Sequence, residues 1–153
     1  VDVLLAVMIG CGGFLLAVLW MDLMFDVQVL AHRGQGTVPE PVLSSIADYY
    51  HRATTTARPM SHLIALVMAI MLSALGFRVA LADDPTWLLA GAAILAAGPV
   101  LLALVRTVPN AVRLGRRTDD AEEQTRLARS VLVDHVVCLG CMSAFLAGWL
   151  IVA

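Results

Sequence analysis

The sequence predicts an all-α integral membrane protein: a bundle of four transmembrane helices in up-down order, with one short helix lying on the membrane surface. Three observations lead there. Hydrophobic residues make up 60% of the 153 and charged residues only 14%, whereas a soluble domain is nearer half apolar and a quarter charged. Mean hydropathy is +0.86. Four apolar runs, each close to the ~20 residues that cross a bilayer, occupy most of the chain and leave room for one domain, residues 1–153, with no soluble module. Formal net charge is −2, so the expected partner is the lipid bilayer and not nucleic acid. All ten basic residues are arginine, a bias that points to a GC-rich bacterial genome.

The first run covers residues 3–29. It lacks the basic start and small-residue cleavage site of a secretory signal and continues through Trp20, so it is expected to be a retained span. Ala31-His32-Arg33-Gly34-Gln35-Gly36 is its polar exit, and Pro39 and Pro41 rule out a continuing helix. In residues 41–57 apolar and polar positions alternate too irregularly for a span, which predicts a short surface helix. Pro59 opens the second span, residues 60–81, at a position where proline is tolerated. Asp83-Asp84-Pro85 is a tight turn into the third span, residues 86–105, where Gly98-Pro99 predicts a kink. Residues 106–126 read as a polar hairpin containing Pro109 and the mixed charges of residues 113–120. The fourth element starts near Glu122 as a polar surface helix and spans residues 130–153.

Arginines set the orientation. Arg33, Arg52 and Arg58 follow the first span; Arg106, Arg113, Arg116, Arg117 and Arg126 follow the third, with Arg129 at the membrane edge. The turn between the second and third spans has Arg78 beside two aspartates, and neither terminus has any. The positive-inside rule then places both long loops in the cytoplasm and both termini outside, in a bacterial plasma membrane.

That topology gathers scattered polar residues into one layer. Asp22 and Asp26 end the first span, His62 begins the second, and Asp134 and His135 lie about one turn inside the fourth. At 1.5 Å rise per residue all fall in the cytoplasmic leaflet or at its edge. Asp22 and Asp26, four apart, share a face. Asp48, Tyr49, Tyr50, His51 and Arg58 on the surface segment are expected to cap the layer. Ionisable groups inside a bilayer are costly and usually face the bundle interior. Asp22, Asp26, His62 and His135 are therefore candidate metal ligands, with Asp48, His51 and Asp134 as alternates. Oxygen and nitrogen donors of this mix suit iron, copper, manganese or zinc. Two other readings stay open: aspartates paired with Arg52, Arg58 or Arg129 to anchor helix ends, or a proton or ion path. Cys138 and Cys141, with His135 and Met142 on adjoining faces and Cys11 at similar depth, read as packing residues, a Cu(I) site or a dithiol.

Val108-Pro109-Asn110 after the third span, and His135 early in the fourth preceded by Arg129, give the chain a resemblance to small four-span membrane proteins related to anthrone oxygenases. The resemblance covers most of the chain by layout. It implies a membrane enzyme that oxidises a hydrophobic substrate, and carries over His135 and Asn110. Tyr49, Tyr50 and Arg58, with Asn110, are the expected substrate contacts.

Three functions follow: a metal-dependent or oxygenase-like enzyme; a non-catalytic subunit of a larger complex or a homo-oligomer; and a haem-binding electron carrier with His62 and His135 as axial ligands. The orientation is directly testable. Tags at residues 1 and 153 should be reached by impermeant reagents from outside intact cells, and a cysteine at Gly34 should not; the reverse pattern would invert the topology.

Overall fold

The structure is a computed structural model that describes residues 2–81 and 83–152, apart from the side chains of Arg58 and Val152. The described residues form helices and connecting turns, with no strand among them. Asp2 caps α1 (Val3–Asp26) by accepting from the Leu5 amide at 3.2 Å, and α1 tightens into a 3-10 turn over Val27–His32. α2 covers Glu40–His51, and its buried residues Leu43, Ile46, Ala47 and Tyr50 are spaced i, i+3, i+4, i+7. That stripe makes α2 an amphipathic surface helix. A π turn, Arg52–Thr56, leads to α3 (Arg58–Leu81). α4 (Thr86–Leu102) is followed by a second π turn, Ala103–Thr107, then α5 (Val108–Arg116) and the long α6 (Ala121–Val152).

Four helical stretches are long and apolar enough to cross a membrane: Val3–His32, Pro59–Leu81, Thr86–Arg116 and Ala121–Ile151. The expected polar hairpin at residues 106–126 is thus helical as far as Arg116, and only residues 117–120 turn. The cause lies in two features. Pro109 falls in the first turn of α5, where a missing N–H costs nothing. Ala111, Leu114 and Gly115, hidden among the arginines, form a buried face against α2. Arg117 ends α5 in the left-handed conformation at φ 54°, and Asp120 accepts from the Glu123 amide at 2.9 Å to start α6. α4 continues through Pro99, and its departure from regular geometry is the π turn beginning at Ala103.

Two apolar clusters result. One joins the four spans through Met8, Leu15, Met71, Leu75, Leu88 and Phe145. The other forms a roof, in which Leu43, Ile46 and Tyr50 of α2 meet Leu114 of α5 and Leu127 and Val131 of α6. At the opposite end Arg78 pairs with Asp2 and with Asp84 (2.6 Å), and its guanidinium lies 4.8 Å from the Trp149 ring centroid. This clasp ties the start of α1, the end of α3, the α3–α4 turn and α6 together.

The roof depends on one close approach. A Cβ on Gly115 would stand 2.7 Å from the His51 backbone nitrogen, whereas one on Gly12 would meet the movable tip of Leu146 at 2.8 Å. Gly115→Ala should therefore destabilise by about 1–3 kcal/mol, as overpacking against a backbone does, and Gly12→Ala by less. Thermal unfolding in detergent micelles checks the order; a harmless Gly115→Ala would mean that α2 does not press on α5.

Candidate functional site

Beneath the roof, α1, α2 and α6 converge on a hydrogen-bonded polar cluster. Asp26 is 1% exposed, and both its oxygens are engaged. Tyr50 donates its hydroxyl to Oδ1 at 2.6 Å, and His135 Nδ1 lies 2.7 Å from Oδ2. With the carboxylate oxygen as acceptor, Nδ1 is assigned as the donor of that bond. The titrating ring nitrogen is then Nε2, which faces Asp22 Oδ2 at 3.8 Å, beyond hydrogen-bond reach. Asp22 is held on its other oxygen by the Tyr49 hydroxyl at 2.5 Å. Tyr49 in turn stacks on Phe25, with centroids 4.0 Å apart and planes 9° from parallel. Burial first, and the carboxylates of Asp22 and Asp26 second, push both phenols above the ordinary tyrosine range. Both stay protonated and act as donors.

Helical geometry explains the convergence. Asp22 and Asp26 are one turn apart on α1, and α2 presents consecutive tyrosines to them, Tyr50 from its buried stripe and Tyr49 from the stripe's edge. The π turn after α2 is fastened back on the same helix by Thr54, which donates to the Tyr50 carbonyl at 2.7 Å. Asp134, next to His135 in sequence, looks elsewhere. It accepts from Thr107 Oγ1 at 3.0 Å and from Arg106 Nε at 3.0 Å, and Arg106 Nη2 completes a forked ion pair. The π turn Ala103–Thr107 supplies both donors. π turns of this kind recur where a helix must re-aim side chains.

The expected layer is therefore half assembled. Asp22, Asp26, His135, Tyr49 and Tyr50 come together. His62 is exposed on α3 and Asp48 and His51 are exposed on α2, because the inward stripe of α2 runs through Tyr50 and leaves its neighbours outside. The convergence expected of His62 with His135 is corrected accordingly, and the paired-histidine haem arrangement lacks its second ligand. Asp134 pairs with Arg106 and not, among the described side chains, with Arg52 or Arg129. Arg129 instead donates to the Gln35 carbonyl at 2.8 Å, and the Arg58 side chain lies outside the described residues. Asn110 bonds Ser130 Oγ at 3.1 Å, bracing α5 against α6 apart from the cluster. Cys11, Cys138 and Cys141 are free thiols. Among the described residues no group of three or more His, Cys, Asp or Glu side chains is arranged to hold a metal ion. Asp22 Oδ2 and His135 Nε2 face each other at 3.8 Å, an ion-pair separation that is too long for a hydrogen bond.

No family model matches the chain, and neither the curated proteins nor the solved structures contain a significant match to it.

The Arg106–Asp134 pair is unequal: the aspartate side chain is fully buried, and the arginine side chain is 50% exposed. Removing the arginine strands a buried carboxylate, whereas removing the carboxylate leaves a cation that reaches water. Arg106→Ala should lower the unfolding midpoint in micelles clearly, and Asp134→Asn distinctly less. Equal losses would show that the pair is solvated on both sides.

Proposed function

We propose that this multi-pass membrane protein is an enzyme that moves a proton on a lipophilic substrate, with His135 Nε2 as general base. The observation behind this reading is the asymmetry of the imidazole. Nδ1 is fixed on a buried carboxylate that Tyr50 also holds, while Nε2 lies 3.8 Å from Asp22 Oδ2, beyond hydrogen-bond reach. An imidazole so oriented presents one lone pair in one direction, and the carboxylate behind it stabilises the imidazolium formed when a proton arrives. Asp22, fixed by Tyr49 and 3.8 Å from Nε2, adds a second negative charge toward that imidazolium.

The substrate loses a proton from an O–H, or from a C–H beside a carbonyl, and becomes a phenolate or enolate. That electron-rich anion is the species dioxygen oxidises, so the oxygenase-like activity implied by the resemblance to anthrone oxygenases would begin with the same step. A transition metal would have to use the same two unengaged atoms, Asp22 Oδ2 and His135 Nε2, and would displace the base. Under the positive-inside rule the arginine-bearing roof end lies in the cytoplasm of a bacterial cell, so the reaction takes place in the inner half of the plasma membrane.

Anthrone, lipophilic and enolisable, is a suitable probe. Reconstituted protein in D2O under argon should accelerate deuterium incorporation at its acidic carbon, and admitting air should give protein-dependent oxygen uptake. His135→Gln should lower the exchange rate by about 100-fold or more, the scale of a lost general base. Asp26→Asn should do nearly as much, because the amide N–H would turn the ring proton onto Nε2. Exchange no faster than in protein-free vesicles, or undiminished by His135→Gln, would overturn the reading.

A further inference from the structure

A cavity of about 420 Å³ shares no residue with the acid–base cluster. Its walls are the turn and first turns of α6, from Asp120 to Arg129, and the loop at Gly36 that leads into α2. The volume lies in the range that holds small ligands, and the charged lining calls for a polar one.

Most polar groups on those walls are already spent. Thr125 donates to the Ala121 carbonyl at 2.7 Å and accepts from the Val38 amide at 3.0 Å. Arg126 forks onto Glu123 at 2.6 and 2.7 Å. Asp120 gives one oxygen to the Glu123 amide. Arg129 bonds through Nη2 alone, to the carbonyls of His32 at 3.3 Å and Gln35 at 2.8 Å. It is therefore a cation without a carboxylate partner among the described residues. The Glu122 side chain has no partner among them either, and Asp120 keeps its second oxygen. Glu122 and Arg129 are seven residues apart, which puts them on one face of α6 and roughly 10 Å apart along its axis. The unanswered charges are thus opposite in sign and stand at opposite ends of one cavity.

That pattern disfavours the simpler ligands. A lone anion drawn to Arg129 would share the cavity with two carboxylates, and a lone cation at the carboxylates would leave the guanidinium unanswered. A zwitterion satisfies both ends. The position narrows its class. Arg129 is bonded to the last residue of the first membrane-length stretch, Val3–His32. At 1.5 Å per residue its 30 residues reach about 45 Å, the thickness of a bilayer with its head groups. The Arg129 end of the cavity therefore lies at head-group level.

We propose that this cavity binds a zwitterion carrying a phosphate and a primary ammonium, the chemistry of an ethanolamine phospholipid head group. The phosphate accepts from Nε and Nη1 of Arg129, and the ammonium donates its N–H groups to Glu122 and Asp120. The site stands apart from the acid–base reading and does not depend on it.

Lipid-stripped protein in detergent micelles is titrated with phosphatidylethanolamine, phosphatidylcholine or phosphatidylglycerol, and binding is read by native mass spectrometry and by the unfolding midpoint. Phosphatidylethanolamine should bind several-fold more tightly than either of the others, since the choline lipid has no N–H donor and the glycerol lipid no cation. Glu122→Gln and Arg129→Gln should each abolish that preference. Should Arg129→Gln fail to fold for want of its bonds to the Gly36 loop, Gly36→Phe serves as the second variant. A Cβ at Gly36 meets nothing within 4 Å, so the ring fills the cavity and removes no charge. Glycerophosphoethanolamine, the head group without its chains, separates the sources: competition with the lipid would support a free zwitterion at this site, and no competition at large excess would support the lipid. Equal binding of phosphatidylethanolamine and either other lipid, or a preference that outlasts Glu122→Gln and Gly36→Phe in folded protein, would overturn the proposal.

Discussion

The arrangement depends on a carboxylate that cannot be left alone. Asp26 is buried in a bundle whose surroundings are hydrocarbon, where an unpaired charge is expensive and a half-satisfied one little better. Its two oxygens are answered by two different elements, a phenol from α2 and an imidazole from α6. The bond to Tyr50 pins a surface helix with few other contacts to α1. The bond to His135 sets which nitrogen carries the ring proton. One desolvated group thus determines where the roof sits, how α1 and α6 face each other, and which atom is free for chemistry.

A second carboxylate of the same depth is treated differently. Asp134 follows the rule of the buried ion pair: a forked guanidinium, a hydroxyl, and no unengaged direction. Asp22 is held at one oxygen by Tyr49 and at the other faces His135 Nε2 at 3.8 Å, without a hydrogen bond. The contrast separates a joint from a site. At the joints the buried partner is fully engaged, as Arg78 is in its clasp, whereas in the cluster one imidazole nitrogen and one carboxylate oxygen face each other without a hydrogen bond.

Much of the fold was legible because its signals are one-dimensional. Apolar runs of bilayer length and prolines at helix starts need no knowledge of neighbours. The depth of Asp22, Asp26 and His135 was legible for the same reason. What escaped was rotation about the helix axis. His62 sits at a suitable depth on α3 but on the wrong side, and no pattern in its apolar surroundings marks which side faces inward. The two π turns escaped too, since each arises from tertiary demands; the one at Ala103–Thr107 is what brings Arg106 and Thr107 onto Asp134. The α5 helix was masked by composition: three inward residues, Ala111, Leu114 and Gly115, are outnumbered by arginines and read as loop. The tyrosines were placed at the site by their neighbourhood, and their part as donors to Asp22 and Asp26 appears only with coordinates.

The distance along the chain between Asp26 and its partners has a consequence for biogenesis. Tyr50 follows 24 residues later and His135 follows 109 later. When a ribosome has completed α1, neither partner has been made. The two aspartates therefore have to wait in the last turns of their helix, where water can solvate them or a proton can neutralise them. A carboxylate in the middle of that span would have no such refuge during insertion. The position of the polar layer near one end of the bundle is, on this view, set by the order in which the chain is synthesised.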